Sequence, residues 1–318
     1  MTRIVLAYPL WLGGPDVCAG PEERMRTGGA PAQCEETIAW LAEQHAAEIV
    51  TVMLDVGQGR ELEALRDRAL AAGASRAHVL DVADEFGRRF LLPALKAGAL
   101  HRNGRASTTG LARMLTAQKL VEVAAIEQTT NVAHGYPDGD RRVAAAVQAL
   151  DPRLIVVAVP TSVLDPSPGQ VVAPSSSAPA GQSEAPFVEL TFAHGAPTAI
   201  NGVAMSFTDL VDSIEMLARN QRPGPTTHRD SPAAMVLYNA HRGLQQSVIP
   251  DPSELEAMAS QYGELIDTGA WFSTARQELD AAVDRLERPV SGTVRLQLSN
   301  DACRIVEIRP LEKLKVRT

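Results

Sequence analysis

RIVLA at residues 3–7 and EIVTVML at residues 48–54 are short apolar runs rich in branched side chains. Runs of this kind are typical of strands that are buried on both faces of a parallel sheet. Between them, residues 37–47 space their apolar side chains along one face of a helix. Because two strands joined through a helix pair in parallel, this stretch predicts the opening of a doubly wound α/β domain.

The same alternation of strand and helix patterns continues along the first half of the chain. It predicts helices over residues 61–72 and 111–127, and strands over residues 77–80, 131–133 and 154–159. Gly73 follows the first of these helices, where glycine commonly ends a helix. We therefore expect one parallel sheet to occupy this half of the chain.

Residues 160–186 read PTSVLDPSPGQVVAPSSSAPAGQSEAP and interrupt that pattern. Repeated proline, serine and glycine offer little apolar surface to bury, so this segment is predicted to be a linker. Beyond it the sequence predicts two paired strands, four helices and a terminal strand, over residues 187–192, 198–200, 207–220, 232–247, 253–268, 273–286 and 292–298. The predicted organisation is an α/β domain over residues 1–160, a linker over residues 161–186 and a smaller α+β domain over residues 187–318.

The overall composition argues against two classes of partner. A net charge of -8, a pI near 5.4 and an aromatic content of 4% supply neither the basic stripe nor the stacking surface of a nucleic-acid-binding protein. No apolar run approaches the roughly 20 residues that span a bilayer. We therefore predict a cytoplasmic protein that binds small polar molecules, with no nucleic-acid or membrane partner.

The cysteines and histidines suggest no metal or disulfide chemistry. Cys18, Cys34 and Cys303 lack zinc-ligand spacing, so no metal site is predicted. Several histidines have no acidic or thiol partner at catalytic spacing and are interpreted as exposed or structurally satisfied: His101, His194, His228 and His241.

Several ordered blocks resemble one enzyme family. They read VTVMLDVGQGRELEALRDRALAAGA at residues 50–74, FLLPALKAGAL at residues 90–100, GLARMLTAQKLVEVA at residues 110–124 and AHG at residues 133–135. The second half continues with FVELTFAHGAPTAINGVAMSFTDLV, LYNAHRGLQ, GAWFSTARQELDAAVD and VSGTVRLQLSNDACRIV. In this order the blocks resemble the argininosuccinate synthase family. The resemblance covers most of the chain and implies a nucleotide-binding α/β domain of the adenine nucleotide alpha-hydrolase type, followed by an α+β synthetase domain.

The resemblance implies ATP, accompanied by Mg²⁺, as the nucleotide. Family members carry a Ser-Gly-Gly-x-Asp turn after the first strand, because glycines let backbone N–H groups approach phosphates closely. Here VLAY at residues 5–8 is kept, the serine is absent, and LGGPD follows as a displaced remnant of the turn. The alternative is that residues 9–33 form a surface loop with ordinary turn residues. The residues that the resemblance assigns to ATP are Ala7, Tyr8, Gly13, Gly14, Asp16, Arg113, His134 and Gly135.

The amino-acid substrates are assigned in the same way. In the family a Gly-Lys-Gly-Asn-Asp-Gln-Val-Arg string after His-Gly binds the α-amino acid ends of aspartate and citrulline, whereas here the region reads HGYPDGDRRVAAAV. Arg142 falls on the family arginine and would offer a bidentate fork to a carboxylate. Asp138 or Asp140 would replace the family acid, unless this segment is a surface turn. Thr109 would bond a substrate amine.

The implied activity is an ATP-dependent carbon–nitrogen ligase that joins citrulline, or a similar ureido compound, to aspartate with release of AMP and pyrophosphate. Such chemistry depends on positioning and charge stabilisation, so no catalytic nucleophile is assigned. The alternatives are a catalytically impaired relative that binds nucleotide or regulates, and a ligase with another substrate in a specialised pathway. The family is commonly oligomeric, which leaves a homo-oligomer as one expectation.

Overall fold

The structure is a computed structural model of the chain, and it describes residues 2–8, 31–56, 61–102, 105–136, 141–160, 163, 186–219, 232–298 and 303–311. The strands, in chain order, are β1 (Thr2–Ala7), β2 (Ala47–Asp55), β3 (Arg76–Asp81), β4 (His101–Arg102), β5 (Arg105–Ala106), β6 (Asn131–His134), β7 (Ile155–Val156), β8 (Phe187–Ala193), β9 (Ala196–Ile200), β10 (Val203–Ala204), β11 (Gly292–Leu298) and β12 (Cys303–Pro310).

The helices that the structure describes include the seven that the sequence predicts. In chain order the described helices are α1 (Pro31–His45), α2 (Glu61–Ala71), α3 (Ala83–Phe86), α4 (Leu92–Lys96), α5 (Thr108–Ile126), α6 (Arg141–Leu150), α7 (Phe207–Arg219), α8 (Pro232–Val248), α9 (Ser253–Thr268) and α10 (Thr274–Glu287). A π-helical turn, Gly87–Leu91, joins α3 to α4. These three short elements were not predicted, since none is long enough to show helical periodicity.

The first sheet has five parallel strands in the order β3-β2-β1-β6-β7. Successive strands extend from β1 to one edge and the chain then returns to the other side of β1, which is the doubly wound arrangement that the sequence predicts. Strand β1 is the central strand and pairs with both β2 and β6. The point where the strand order reverses therefore lies between β1 and β6.

Strands β1 and β2 of this sheet are buried on both faces. Ile4 of β1 and Ile49 of β2 pack with Ile38 and Leu41 of α1 in one apolar cluster, and each has an exposed fraction of 1% or less. Val50, whose side chain points to the opposite face, is also fully buried. The continuous apolar runs in the sequence reflect this two-sided burial.

The second sheet is antiparallel, with the order β10-β9-β8-β11-β12. The predicted hairpin is present as β8 and β9, whose turn residues His194 and Gly195 have φ values of 52° and 76°. Left-handed conformations at both central positions match the tight turn that follows the twist of paired strands.

The prediction that β11 is the terminal strand is wrong, because β12 follows it and pairs with it at the sheet edge. Strand β12 reads CRIVEIRP, and charged side chains interrupt its apolar residues. An edge strand tolerates such charges because one of its sides faces no further strand. The sequence pattern is therefore weaker than in a central strand.

Contacts between Cα atoms divide the chain into two compact units that are not its two halves. The first unit comprises Met1–Ala83, Gly110–Ser177 and Ile266–Phe272, and the second comprises Asp84–Thr109, Ala178–Leu265 and Ser273–Thr318. The predicted linker lies almost wholly outside the described residues and stays a prediction. Among the helices that the structure describes, none is long and apolar enough to cross a membrane.

Candidate functional site

Two neighbouring strands of the first sheet end side by side at the candidate site. Ala7, the last residue of β1, pairs in register with His134, the last residue of β6. The N–H of Gly135 donates to the carbonyl oxygen of Ala7 at 3.0 Å, and the N–H of Tyr8 donates to the carbonyl oxygen of Val52 at 2.9 Å. In open α/β sheets, ligands bind in the crevice beyond the carboxyl ends of the strands where the order reverses. Four residues nominated from the sequence thus lie at this position.

Arg113, on the first turns of α5, belongs to the same unit. The carbon of its guanidinium group lies 5.2 Å from the centre of the Tyr136 ring. This distance is within the range in which an aromatic face attracts a cation. The nominated arginine therefore lies beside Tyr136, the residue that follows His134 and Gly135.

Tyr136 is the residue at this site that the sequence reasoning missed. It is 3% exposed, and its ring centre lies 5.8 Å from that of His134. Its hydroxyl lies 2.9 Å from Oγ1 of Thr116, which in turn donates to the carbonyl oxygen of Ala112 at 2.9 Å. Since the Thr116 hydroxyl has a single proton, Tyr136 is the donor in the first of these bonds. The position directly after the His-Gly pair is the signal that could have identified it.

Arg142 lies in the first turn of α6 and is half-buried. Its backbone passes very close to Gly269, which has a φ of 79°. A Cβ atom at Gly269 would lie 2.4 Å from the carbonyl oxygen of Arg142, so only glycine fits there. The lack of a side chain at Gly269 therefore allows the backbone of Arg142 to approach this closely. The position of Gly269 just after a predicted helix was the available sequence signal.

The remaining nominated residues divide into two groups. Thr109 is half-buried in the first turn of α5 and belongs to the second unit. Four others lie outside the described residues, so their roles stay predictions: Gly13, Gly14, Asp16 and Asp140. The structure thus places seven residues at the ends of β1 and β6 and on the adjoining helix α5. They are Ala7, Tyr8, Arg113, Thr116, His134, Gly135 and Tyr136.

Comparison with known proteins gives a consistent result over both halves of the chain. The family model described as "Arginosuccinate synthase N-terminal HUP domain" matches residues 27–164, and that described as "Arginosuccinate synthase C-terminal domain" matches residues 166–313. The chain is 31% identical to the argininosuccinate synthase of Moorella thermoacetica, over 84% of this chain and 81% of that protein. It is also 31% identical to that of Desulforamulus reducens and 30% identical to that of Carboxydothermus hydrogenoformans, in each case over 82% of this chain and 81% of the relative.

Proposed function

This chain belongs to the argininosuccinate synthase family, and from that premise we propose that it is an ATP-dependent ligase that joins citrulline to aspartate and releases AMP and pyrophosphate. The single observation that best supports this proposal is the pairing of Ala7 with His134 where the strand order reverses, with Gly135 bonded to Ala7. This is where a doubly wound sheet binds a nucleotide.

Two features of the described residues at these strand ends support the binding of a nucleoside triphosphate there. The ends of β1 and β6 present backbone beside a glycine, which allows a phosphate to approach closely. The guanidinium of Arg113 supplies a positive charge in the same unit and can donate two parallel hydrogen bonds to a phosphate. We propose that Ala7, Tyr8, Arg113, His134 and Gly135 bind ATP.

The reaction has two steps and needs no nucleophile from the protein. The ureido oxygen of citrulline attacks the α-phosphorus of ATP, and pyrophosphate leaves. The amine of aspartate then attacks the activated ureido carbon, and AMP leaves with the former ureido oxygen. The protein's part is to align these groups and to stabilise the charge that develops on the phosphates.

Arg142 and Thr109 are proposed for the amino-acid substrates. The Arg142 guanidinium would bind a substrate carboxylate as a planar two-pronged donor, and the Thr109 hydroxyl would accept from an ammonium group. Four further proposals rest on the sequence. They are Mg²⁺ accompanying the ATP, a cytoplasmic location, a homo-oligomeric state, and the lack of nucleic-acid and membrane partners.

The direct test is the reaction itself. Purified protein with ATP, citrulline and aspartate should form argininosuccinate, AMP and pyrophosphate in equal amounts, and omission of any substrate should abolish the product. Citrulline labelled with heavy oxygen in its ureido group should yield labelled AMP, because that oxygen departs with the nucleotide. If ATP binds but no pyrophosphate forms at high protein concentration, the ligase proposal is rejected in favour of a non-catalytic nucleotide-binding relative.

A matched pair of arginine variants tests the carboxylate clamp. We expect Arg142→Ala to raise the KM of one amino-acid substrate by about 10- to 100-fold, since a hydrogen bond to a charged group contributes roughly 1.5–3 kcal/mol. Arg153, on the same unit, has a side chain that is 83% exposed and paired with Asp151. Arg153→Ala should leave both KM values unchanged, and equal effects of the two variants would contradict the assignment.

A further inference from the structure

Tyr136 occupies a buried position between the two elements that carry the proposed nucleotide ligands. It follows His134 and Gly135 directly in the chain, and its ring lies against the guanidinium of Arg113 on α5. With an exposed fraction of 3%, the ring offers little surface to a ligand of its own. Its contacts are therefore with the residues around the crevice.

These contacts form a closed loop. The Tyr136 hydroxyl donates to Thr116, and the Thr116 hydroxyl donates to the backbone of Ala112, the residue before Arg113. The ring returns to the same helix through its contact with Arg113. A tyrosine ring has few rotatable bonds, and the hydroxyl bond removes most of its remaining freedom. The loop therefore fixes the ring relative to α5 and, through the ring, the guanidinium of Arg113.

An arginine held in one orientation binds an anion more tightly than a mobile one. A free arginine side chain loses considerable rotamer freedom when it binds a phosphate, and an arginine that is already ordered loses less. The ring face also attracts the guanidinium, which favours the position of the group 5.2 Å from the ring centre.

We propose that Tyr136 is a positioning residue for the nucleotide, which acts by holding the guanidinium of Arg113 for the phosphates of ATP. The inference rests on the proposed function, because it takes Arg113 as an ATP ligand. In this proposal Tyr136 does not touch the nucleotide, and Thr116 holds the Tyr136 hydroxyl by accepting its hydrogen bond.

The test is a double-mutant cycle read by calorimetric titration with ATP and by the KM of each substrate. Tyr136→Leu should weaken ATP binding by about tenfold, because it removes a cation–π contact at a mostly desolvated site. Tyr136→Phe and Thr116→Val, which keep the ring and remove the hydroxyl bond, should each weaken ATP binding about threefold and should not add. The KM of aspartate should stay unchanged in all three variants.

The decisive comparison is made in a protein that lacks the arginine. If Tyr136 acts through Arg113, adding Tyr136→Leu to Arg113→Ala should cause no further loss of ATP affinity. The inference would be overturned if Tyr136→Leu weakened ATP binding as much in the Arg113→Ala protein as in the wild type. It would also be overturned if Tyr136→Leu alone kept wild-type ATP affinity. If Tyr136→Leu does not fold, the same cycle is measured with Tyr136→Phe. Wild-type ATP affinity of the Tyr136→Phe variant would then contradict the inference.

A second buried tyrosine provides the control for general destabilisation. Tyr262 is fully buried in the second unit, and its hydroxyl donates to Asp280 of the same unit. Tyr262→Phe should lower thermal stability but leave ATP affinity unchanged. If the wild-type protein itself binds no ATP, the proposed function fails; if it binds ATP and the Tyr136 variants match it, only the positioning role fails.

Discussion

Glu287 is a fully buried carboxylate in the second unit, and its surroundings explain how that unit tolerates it. The Nε2 atom of His241 lies 2.8 Å from one of its oxygens, and the amide of Gln245 donates to the other at 2.6 Å. His241 is 1% exposed and Glu287 is 0% exposed. A buried polar group persists in the fold only when it is hydrogen-bonded, so these three side chains depend on one another. His241 is thus structurally satisfied, which is one of the two interpretations that the sequence left open, and its acidic partner lies 46 residues further along the chain.

Removing the carboxylate should be severely destabilising. We expect Glu287→Ala to lower the free energy of unfolding by about 3–5 kcal/mol, because it leaves the polar atoms of His241 and Gln245 buried without their partner. Urea unfolding followed by circular dichroism measures this. Glu307, whose side chain is 42% exposed and paired with Arg309, is the surface control. Glu307→Ala should cost at most about 1 kcal/mol, and an equal loss in both variants would contradict the prediction.

Gly269 allows a prediction that separates steric conflict from backbone strain. Its φ of 79° nearly equals the 78° of Gly202, but a Cβ atom at Gly202 would meet nothing within 4 Å, whereas one at Gly269 would strike the backbone of Arg142. Gly202→Ala should therefore cost only the strain of a left-handed alanine, about 1–2 kcal/mol. Gly269→Ala should cost more and should also raise the KM of the amino-acid substrate that Arg142 binds. Thermal unfolding and steady-state kinetics check both parts, and identical behaviour of the two variants would exclude the close approach.

Helix α7 carries three acids along its length, and each has a different environment. At the helix start, the hydroxyl of Ser206 donates to the carboxylate of Asp209 and accepts from its N–H, which caps the helix. Glu215 accepts from the N–H of Ala233 in the first turn of α8 at 3.0 Å. Asp212 lies between them. Burial, and then repulsion from Asp209 and Glu215, raises the pKa of the Asp212 carboxyl.

The raised pKa predicts how the stability contribution of Asp212 depends on pH. The folded state holds the Asp212 proton more tightly than the unfolded state, so the charged carboxylate destabilises the fold at neutral pH and the penalty fades as pH falls through the raised pKa. Asp212→Asn should therefore raise the Tm at about pH 7, by an amount that corresponds to a few tenths of a kcal/mol, and the gain should shrink near about pH 4. Differential scanning calorimetry at both pH values measures it.

Asp251 provides the control of opposite sign. Hydrogen bonds from the backbone and side chain of Ser253 lower the pKa of the Asp251 carboxyl. Its stabilising contribution is present at neutral pH and is lost as pH falls through that lowered pKa. Asp251→Ala should therefore lower the Tm at neutral pH, with a smaller loss in acid. If Asp212→Asn also lowered the Tm at neutral pH, the repulsion argument for α7 would be wrong.

At the scale of the whole molecule, residues 84–109 belong with the second half of the chain although they lie within the first. Thr208 donates to Asp84 at 3.2 Å, and the amide of Gln245 donates to the carbonyl oxygen of Lys96 at 3.2 Å. The side chain of Lys96 also pairs with Asp284. The second unit therefore takes part of its structure from a segment that is distant in sequence.

This arrangement predicts that the C-terminal half cannot fold by itself. A fragment of residues 187–318 should give a poorly dispersed NMR spectrum, because the surfaces and polar groups that residues 84–109 cover would be exposed. Joining residues 84–109 to that fragment through a flexible linker should restore dispersion. A well-folded fragment without the added segment would show that the segment is dispensable for this unit.

The sequence by itself determined most of the longer helices and strands, the parallel pairing of the first sheet, the membership of the family and the place of His134 and Gly135 at a strand end. The elements and their pairing follow from local patterns, since a buried strand or an amphipathic helix repeats its apolar residues over a few positions. The family and the place of His134 and Gly135 follow from the resemblance of the ordered sequence blocks. Only the tertiary structure decided the contacts of Arg113 with Tyr136, His241 with Glu287 and Arg142 with Gly269, and the pairing of the edge strand β12. These contacts join residues that the path of the chain brings together, and no periodicity records that path.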